Sequence, residues 1–214
     1  MPLQNRVLPS GALIVSSARG LFTGNRGIIH DADTKSLSGR KWSTPAWICC
    51  ALEWKGRRRD VWGRNRTRPD GSRGSSWSEL FFLDEVTALA AGHRPCHTCR
   101  NKDAKAFHHA YCAANGRLDA TGKNRLLHAE RWQSRKEPPV ILTISEISDL
   151  PDGVILQADD VFFAIKQSTL FRWTLEGYEA PAPLSLVSKQ TIALVTPPSM
   201  VGALREGYRP QWHP

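Results

Sequence analysis

The sequence has no long hydrophobic run. No stretch approaches the roughly 20 consecutive apolar residues that a membrane-spanning helix requires, and the first residues do not resemble a signal peptide. We therefore expect a cytoplasmic protein with no membrane partner.

Cysteine is scarce, and its five copies are an odd number. Two of them, Cys49 and Cys50, are adjacent. This usage fits a disulfide framework poorly, and it fits a reducing compartment in which thiols bind metal. Clustered Asp, Asn and His residues that would position a catalytic cation are also lacking, which argues against a metal-dependent nuclease.

Acidic residues are in deficit, with 20 Asp and Glu against 29 Lys and Arg and a net charge of +9. Most of the excess lies in a basic loop, residues 55–73, which holds eight basic and two acidic side chains. Arginine dominates there and Trp62 is interleaved, a mixture typical of surfaces that neutralise phosphates and stack on bases. The predicted nucleic-acid contacts are Lys55, Arg57, Arg58, Arg59, Arg64, Arg66 and Arg68. A solvated loop kept soluble by its charge is the alternative.

The composition permits a sizeable core, since 41% of the 214 residues are hydrophobic. Alternation over 47–54 predicts a half-buried strand, and segments after it predict short strands and helices. From Val140 onward, strand-like segments alternate with turns. We expect an α+β fold: residues 1–138 form a small antiparallel sheet with helices and a zinc knuckle, and residues 139–214 form a β-rich unit ending in a short helix.

The run from Leu80 to Arg100 predicts a strand, a capped helix and a metal knuckle. Asp84 stands at the expected N-cap, and Gly92 at the left-handed position that ends a helix. Pro95 prevents the helix from continuing. Cys96 and Cys99 follow at a spacing that lets both sulfurs bind one tetrahedral ion at about 2.3 Å, so zinc is the expected cofactor. A redox dithiol or two inert thiols are the alternatives.

Part of this run occurs twice. Val86, Ala88, Leu89, Gly92, Arg94 and Pro95 match Val201, Ala203, Leu204, Gly207, Arg209 and Pro210 at identical spacing. No cysteine follows the second copy, so Arg-Pro after the glycine can serve a structural purpose. We expect the guanidinium to bond nearby carbonyls, and this weakens a catalytic interpretation of Arg94.

Residues 79–100, with the core GHRPCHTC, resemble the second half of the Ada-type zinc-binding domain, found in a family of DNA methylphosphotriester repair proteins and regulators. The resemblance implies four cysteines around zinc, one of which takes a methyl group from a DNA phosphotriester. This chain differs from the family in having His93 where an aromatic residue is usual, and in lacking the upstream C-x-x-x-C pair.

The adjacent Cys49 and Cys50 stand in for that pair, and neighbouring strand residues face opposite sides, so at most one joins the metal. We predict Cys50, because it shares an apolar face with Ile48 and the ion must lie between sheet and knuckle. His30 is the first choice for the fourth ligand. The other candidates are His97, His93, Cys49, His108 and His109.

Three functions compete. A zinc-stabilised nucleic-acid-binding protein, with DNA preferred over RNA as partner, agrees best with the knuckle and the basic loop. An enzyme is the alternative, either an Ada-like methyl acceptor or a nuclease using His108 and His109 on the helix after the knuckle. A regulatory module that binds another protein through its C-terminal unit is the third.

Overall fold

The computed structural model describes residues 1–57 and 59–214. The strands, in chain order, are β1 (Arg6–Val7), β2 (Leu13–Ile14), β3 (Phe22–Asn25), β4 (His30–Asp31), β5 (Ser36–Leu37), β6 (Ile48–Ala51), β7 (Arg66–Thr67), β8 (Arg73–Gly74), β9 (Leu80–Phe82), β10 (Arg94–Pro95), β11 (Ile141–Leu142), β12 (Ile155–Ala158), β13 (Val161–Lys166), β14 (Thr169–Trp173), β15 (Tyr178–Ala182) and β16 (Ile192–Leu194). The α-helices are α1 (Glu85–Ala90), α2 (Asn101–Asn115), α3 (Ala120–Glu130), α4 (Ile144–Ser148) and α5 (Pro198–Arg205). A 3-10 turn covers Leu184–Val187.

The first sheet has six strands in the order β10-β6-β3-β9-β1-β2. Its central pairs are antiparallel, whereas β10 pairs with β6, and β1 with β9, in parallel. The predicted small antiparallel sheet is therefore wrong in this respect, because the chain crosses over through α1 before β10 returns beside β6. Pro95, which has no N–H to donate, lies in the edge strand β10, where proline is tolerated.

The second sheet is antiparallel throughout, in the order β11-β16-β12-β13-β14-β15. Its strands alternate with tight turns, as the sequence after Val140 predicts. Helices and two sheets in separate stretches of the chain confirm the α+β class. None of the helices in the described residues is long and apolar enough to cross a membrane.

Helix α1 lies between the two sheets, and all six of its residues are buried. Ala88 packs with Phe82 of the first sheet, whereas Val86 packs with Ile155 of the second. A larger cluster joins α2, α3 and α5 to the second sheet. Buried contacts thus run across the predicted boundary at 138, and a division into two independently folding domains stays a prediction.

Both predicted ends of α1 are confirmed. The Asp84 carboxylate accepts a hydrogen bond from the Thr87 backbone N–H at 2.8 Å, which satisfies one of the free amide groups at the helix start. Gly92 has φ of 77°, in the left-handed region. Its N–H donates to the carbonyl of Leu89, which closes the last turn.

Residues 208–213 pack against the start of α1. The Tyr208 hydroxyl donates to Glu85 Oε1 at 2.6 Å, and the Gln211 N–H donates to Glu85 Oε2 at 3.0 Å. The His213 N–H donates to Asp84 Oδ2 at 3.1 Å. The polar groups at the start of α1 are therefore satisfied by a segment more than 120 residues further along the chain.

Candidate metal centre and adjoining groove

Strand pairing places the knuckle beside β6. Arg94 is in register with Ile48, and Pro95 with Cys49. The Cys96 N–H then donates to the carbonyl of Cys49 at 2.9 Å. This pairing fixes where the chain leaves the sheet, and so brings the two knuckle cysteines next to β6.

Cys50, Cys96 and Cys99 form a cluster in which all three sulfurs lie within 4.8 Å of one another. All three side chains are partly exposed. They are close enough to hold a metal ion. The structure thus brings together three of the four predicted ligands.

The spacing allows a tetrahedral metal ion between the three sulfurs. Ligands at about 2.3 Å in tetrahedral geometry place their sulfurs about 3.8 Å apart, within the observed limit. Backbone amides also point at the sulfurs: the Ala51 N–H donates to Cys99 Sγ, and the Thr98 N–H to Cys96 Sγ, each at 3.4 Å. Such bonds favour the charged thiolate that a metal requires.

The three sulfurs also compete for protons. Hydrogen bonds from Cys50 and Cys99 lower the pKa of Cys96, whereas contact with Cys96 and then with Cys99 raises the pKa of Cys50. The three thiols therefore do not lose their protons independently, because adjacent negative charges would repel one another. A bound cation removes this conflict.

Cys50 joins the cluster as predicted, but the face of the strand that is buried is the one opposite to the predicted face. Trp47 and Cys49 are fully buried, and Cys49 packs with Phe82 in the core of the first sheet. Cys50 lies on the opposite, outward face, where the groove described below opens. Burial raises the pKa of Cys49 strongly, as expected for an inert core thiol.

His30, the predicted fourth ligand, lies outside the cluster. Its Nδ1 bonds the Ser78 hydroxyl at 2.6 Å, and its ring stacks on Trp62 with the centroids 5.8 Å apart. Because β4 forms a separate two-stranded ribbon with β5, His30 joins a local core instead of the edge of the first sheet. Trp62 is fully buried as well, so it offers no face to a base.

The remaining candidates for a fourth ligand also lie outside the cluster. His93 is fully buried and its Nε2 accepts from Arg26 Nε at 3.2 Å. His108 contacts Lys123 and lies 3.5 Å from the Cys112 sulfur. Within the described residues, three cysteines and no fourth His, Cys, Asp or Glu surround the site.

A buried ion pair anchors the residue after the knuckle. Arg100 lies 2.8 Å from the Glu85 carboxylate, and both side chains are at most 3% exposed. Burial opposes the charge of Arg100, but the hydrogen bond and charge of Glu85 outweigh it and raise the pKa of Arg100. Arg100 Nη1 also donates to Cys49 Sγ at 3.4 Å. The pair connects the knuckle to helix α1.

An open groove of about 360 Å³ adjoins the three cysteines. Ile48 and Leu52 contribute apolar surface, and Trp54 and Trp77 contribute indole rings. Its basic side chains are Arg57 and Arg59, and no acidic residue lines it within the described residues. We call it the metal-side groove.

A positively charged side chain lies over each indole ring of this groove. The Arg57 guanidinium carbon lies 4.9 Å from the Trp54 ring centroid, and that of Arg59 lies 4.1 Å from the Trp77 centroid. Lys55 also lies 5.0 Å from the Trp54 centroid. Arg59 is held further by Glu79, whose Oε1 accepts from Arg59 Nε at 2.6 Å. Aromatic faces and positive charges are therefore adjacent beside the cysteines.

The predicted basic loop divides into parts with different surroundings. Arg57 and Arg59 line the groove, whereas Arg64 pairs with Asp33. Arg66 begins the ribbon of β7 and β8, and Arg68 lies in its turn, where it donates to the Ser72 hydroxyl. The predicted contact Arg58 lies outside the described residues.

In the two copies of the helix, glycine and Arg-Pro pattern, the arginine has different hydrogen-bond partners. Arg209 Nη1 donates to the carbonyls of Leu204 and Tyr208, each at 3.4 Å, as expected from the sequence. Arg94 Nε donates instead to the Asn124 side chain at 3.1 Å. Neither guanidinium belongs to the cysteine cluster, which agrees with a structural purpose for both.

Sequence reasoning missed the two tryptophans of the groove. Trp77 is 18 residues beyond Arg59, and only folding brings their side chains together. The arginine-rich composition near Trp54 is a signal for such a surface, but Trp62 is the tryptophan that lies within the basic loop of the sequence.

Comparison with protein-family models, with curated proteins and with solved structures finds no match for this chain.

Proposed function

We propose that the protein is a zinc-stabilised nucleic-acid-binding protein of the cytoplasm, with DNA as the preferred partner. The observation that carries the proposal is the metal-side groove, where two tryptophans and two arginines adjoin three clustered cysteines. Aromatic faces beside cations are what single nucleic-acid strands bind, through base stacking and phosphate neutralisation.

Zinc is the ion we assign to the cluster. Soft thiolate ligands in tetrahedral arrangement select zinc over calcium or magnesium. Cys50, Cys96 and Cys99 would hold the ion, and it would fix β6, β10 and the knuckle in one arrangement. This metal-supported scaffold then presents Arg57 and Arg59 at a defined distance from the two indoles.

The basic loop supplies further charge. Lys55, Arg57, Arg66 and Arg68 have no acidic partner within 4 Å in the part of the chain that the structure describes. Unpaired arginines at a surface are available to phosphates, with which they form bidentate bonds. Arg64 contributes less in this proposal, because Asp33 already neutralises it.

Salt dependence of binding tests this proposal. The zinc-loaded protein is titrated into fluorescently labelled DNA and RNA, and anisotropy is followed at increasing salt. We expect the logarithm of affinity to fall linearly with the logarithm of salt concentration, and Arg57→Gln to reduce the slope by about 1.

The matched control is Lys189→Gln, which removes an exposed charge from the second unit and should leave both affinity and slope unchanged. A zinc-loaded protein that retains neither DNA nor RNA at low salt would end the proposal.

An Ada-like methyl acceptor is the second candidate, favoured by the clustering of Cys50 with the two knuckle cysteines. A thiolate, with Cys50 the nearest equivalent of the family's cysteine, would attack the methyl carbon of a phosphotriester. The S–C bond forms, the O–C bond breaks and a phosphodiester leaves. Mass spectrometry after incubation with methylphosphotriester DNA should show one added methyl group, absent in Cys50→Ser.

A further inference from the structure

We propose that the metal-side groove binds one unpaired nucleobase of a single-stranded nucleic acid, with a neighbouring phosphate on Arg57. This inference rests on the proposed function and specifies its ligand. It predicts a protein that prefers single strands to duplexes.

The lining of the groove selects a flat, aromatic ligand. Trp54 and Trp77 present indole rings, and Ile48 and Leu52 add apolar surface, with Leu52 49% exposed. A volume of about 360 Å³ falls within the range of small-molecule sites. Phosphate or sugar alone would leave this apolar surface in water, whereas a base covers it.

The charges of the groove place the phosphate at its margin. No acidic residue lines the groove in the described chain, and the arginines lie over the indoles at 4.1 and 4.9 Å. A divalent ion held by three thiolates would leave a net negative charge, which would repel phosphate from the cysteine end. An uncharged base is therefore favoured beside the cysteines and its phosphate beside Arg57, because Glu79 already pairs with Arg59.

A duplex cannot satisfy this arrangement. Its bases are stacked on one another, and reaching an indole face requires that a base leave the stack at a cost of a few kcal/mol. Single strands already expose their base faces. Pairing state, more than sequence, thus decides affinity in this groove.

The test compares three labelled oligonucleotides of about 12 nucleotides, within the span that single-strand-binding sites cover. They are a single strand of thymidines, the same backbone with every base removed, and a blunt-ended duplex of the thymidine strand with its complement. The abasic strand retains the phosphates, so it reports charge alone. We expect the single strand to bind at least about 10-fold more tightly than the abasic strand and the duplex.

Substitution of the groove tryptophans should weaken the binding of strands that contain bases and should not affect the binding of the abasic strand. Trp54→Ala and Trp77→Ala should each weaken binding of the single strand about 5- to 150-fold and leave abasic binding unchanged. Trp54→Leu keeps apolar volume for folding but removes the stacking face, so it should also weaken binding. Trp42→Ala, outside the groove, is the matched control and should have no effect.

The outcomes separate the two proposals. Equal affinity for the thymidine and abasic strands would overturn the base site and leave nucleic-acid binding intact. A duplex that binds as tightly as the single strand would overturn it as well. Absence of binding to every oligonucleotide at low salt would overturn both.

Discussion

Segments 84–95 and 199–210 have the same local structure, but the residues that follow make different contacts. Each helix is followed by a glycine with positive φ, which is 77° at Gly92 and 93° at Gly207. In each segment, the N–H of the residue after the glycine donates a hydrogen bond to the carbonyl five residues earlier in the chain. After Gly92 the chain pairs with β6 and delivers two cysteines to Cys50. After Gly207 it makes no strand and runs across the start of α1. The helix ending is thus the same in both segments, and strand pairing gives the first segment its cysteine cluster.

The largest expected effect comes from removing the two knuckle cysteines, which only the first segment has. Cys96→Ser with Cys99→Ser is expected to abolish metal binding and to lower the free energy of unfolding by about 4 kcal/mol, the linkage gained at 1,000 times the dissociation constant. The Tm should fall by about 8–16 °C. Metal content by mass spectrometry and calorimetry measure the two effects. Cys112→Ser, on α2, is the control, and loss of metal there would contradict the assignment.

A matched pair of glycine substitutions sharpens the comparison further. Both Gly92→Ala and Gly207→Ala force alanine into a left-handed conformation, at about 1 kcal/mol. At Gly92 the new Cβ would also lie 2.4 Å from Cγ of the buried Arg131, whereas at Gly207 nothing lies within 4 Å. We therefore expect losses of about 3 and about 1 kcal/mol, respectively. Urea unfolding measures both, and equal losses would show that Arg131 moves aside freely.

The two segments also differ in the residue after the glycine, and we expect from this a smaller, pH-dependent effect on the free energy of unfolding. His93 is fully buried, and burial, followed by the charge of Arg26, lowers its pKa well below the ordinary value. The unfolded chain therefore binds a proton below about pH 6.5 that the folded chain does not, so stability falls as pH decreases from there, by at most about 1.4 kcal/mol per unit. Tyr208, in the second copy, does not titrate in this range.

Urea unfolding between pH 7 and pH 5 isolates this contribution. Comparing Cys96→Ser with Cys96→Ser plus His93→Gln keeps metal release from adding to the slope. The second variant should lose less stability on acidification, by about 2 kcal/mol. Parallel pH profiles would assign the acid sensitivity to other histidines, such as His30 or His128, whose pKa values burial also lowers.

Local chemistry made parts of this structure predictable. The Asp84 cap, the Gly92 ending and the two knuckle cysteines depend on residues within a few positions of one another, and all three are found where the sequence places them. The β-rich composition after Val140 likewise predicts the second sheet.

Long-range packing explains what the sequence could not show. Cys50 joins the cluster because Trp47 and Cys49 turn inward, which depends on what covers that face of β6. The apolar pattern of the strand suggested the opposite orientation. His30 and Trp62 stack on each other in a local core, and the groove takes its second indole from Trp77 instead. Local spacing carries no information about such pairings.

The contacts of Glu85 join parts of the chain that are synthesised at different times. This buried carboxylate holds Arg100 directly after the knuckle, and it also accepts bonds from the Tyr208 hydroxyl and the Gln211 N–H. A ribosome releases the knuckle about a hundred residues before it releases those two partners. In the nascent chain, the three cysteines are thus all present before the hydrogen bonds from Tyr208 and Gln211 to Glu85 can form.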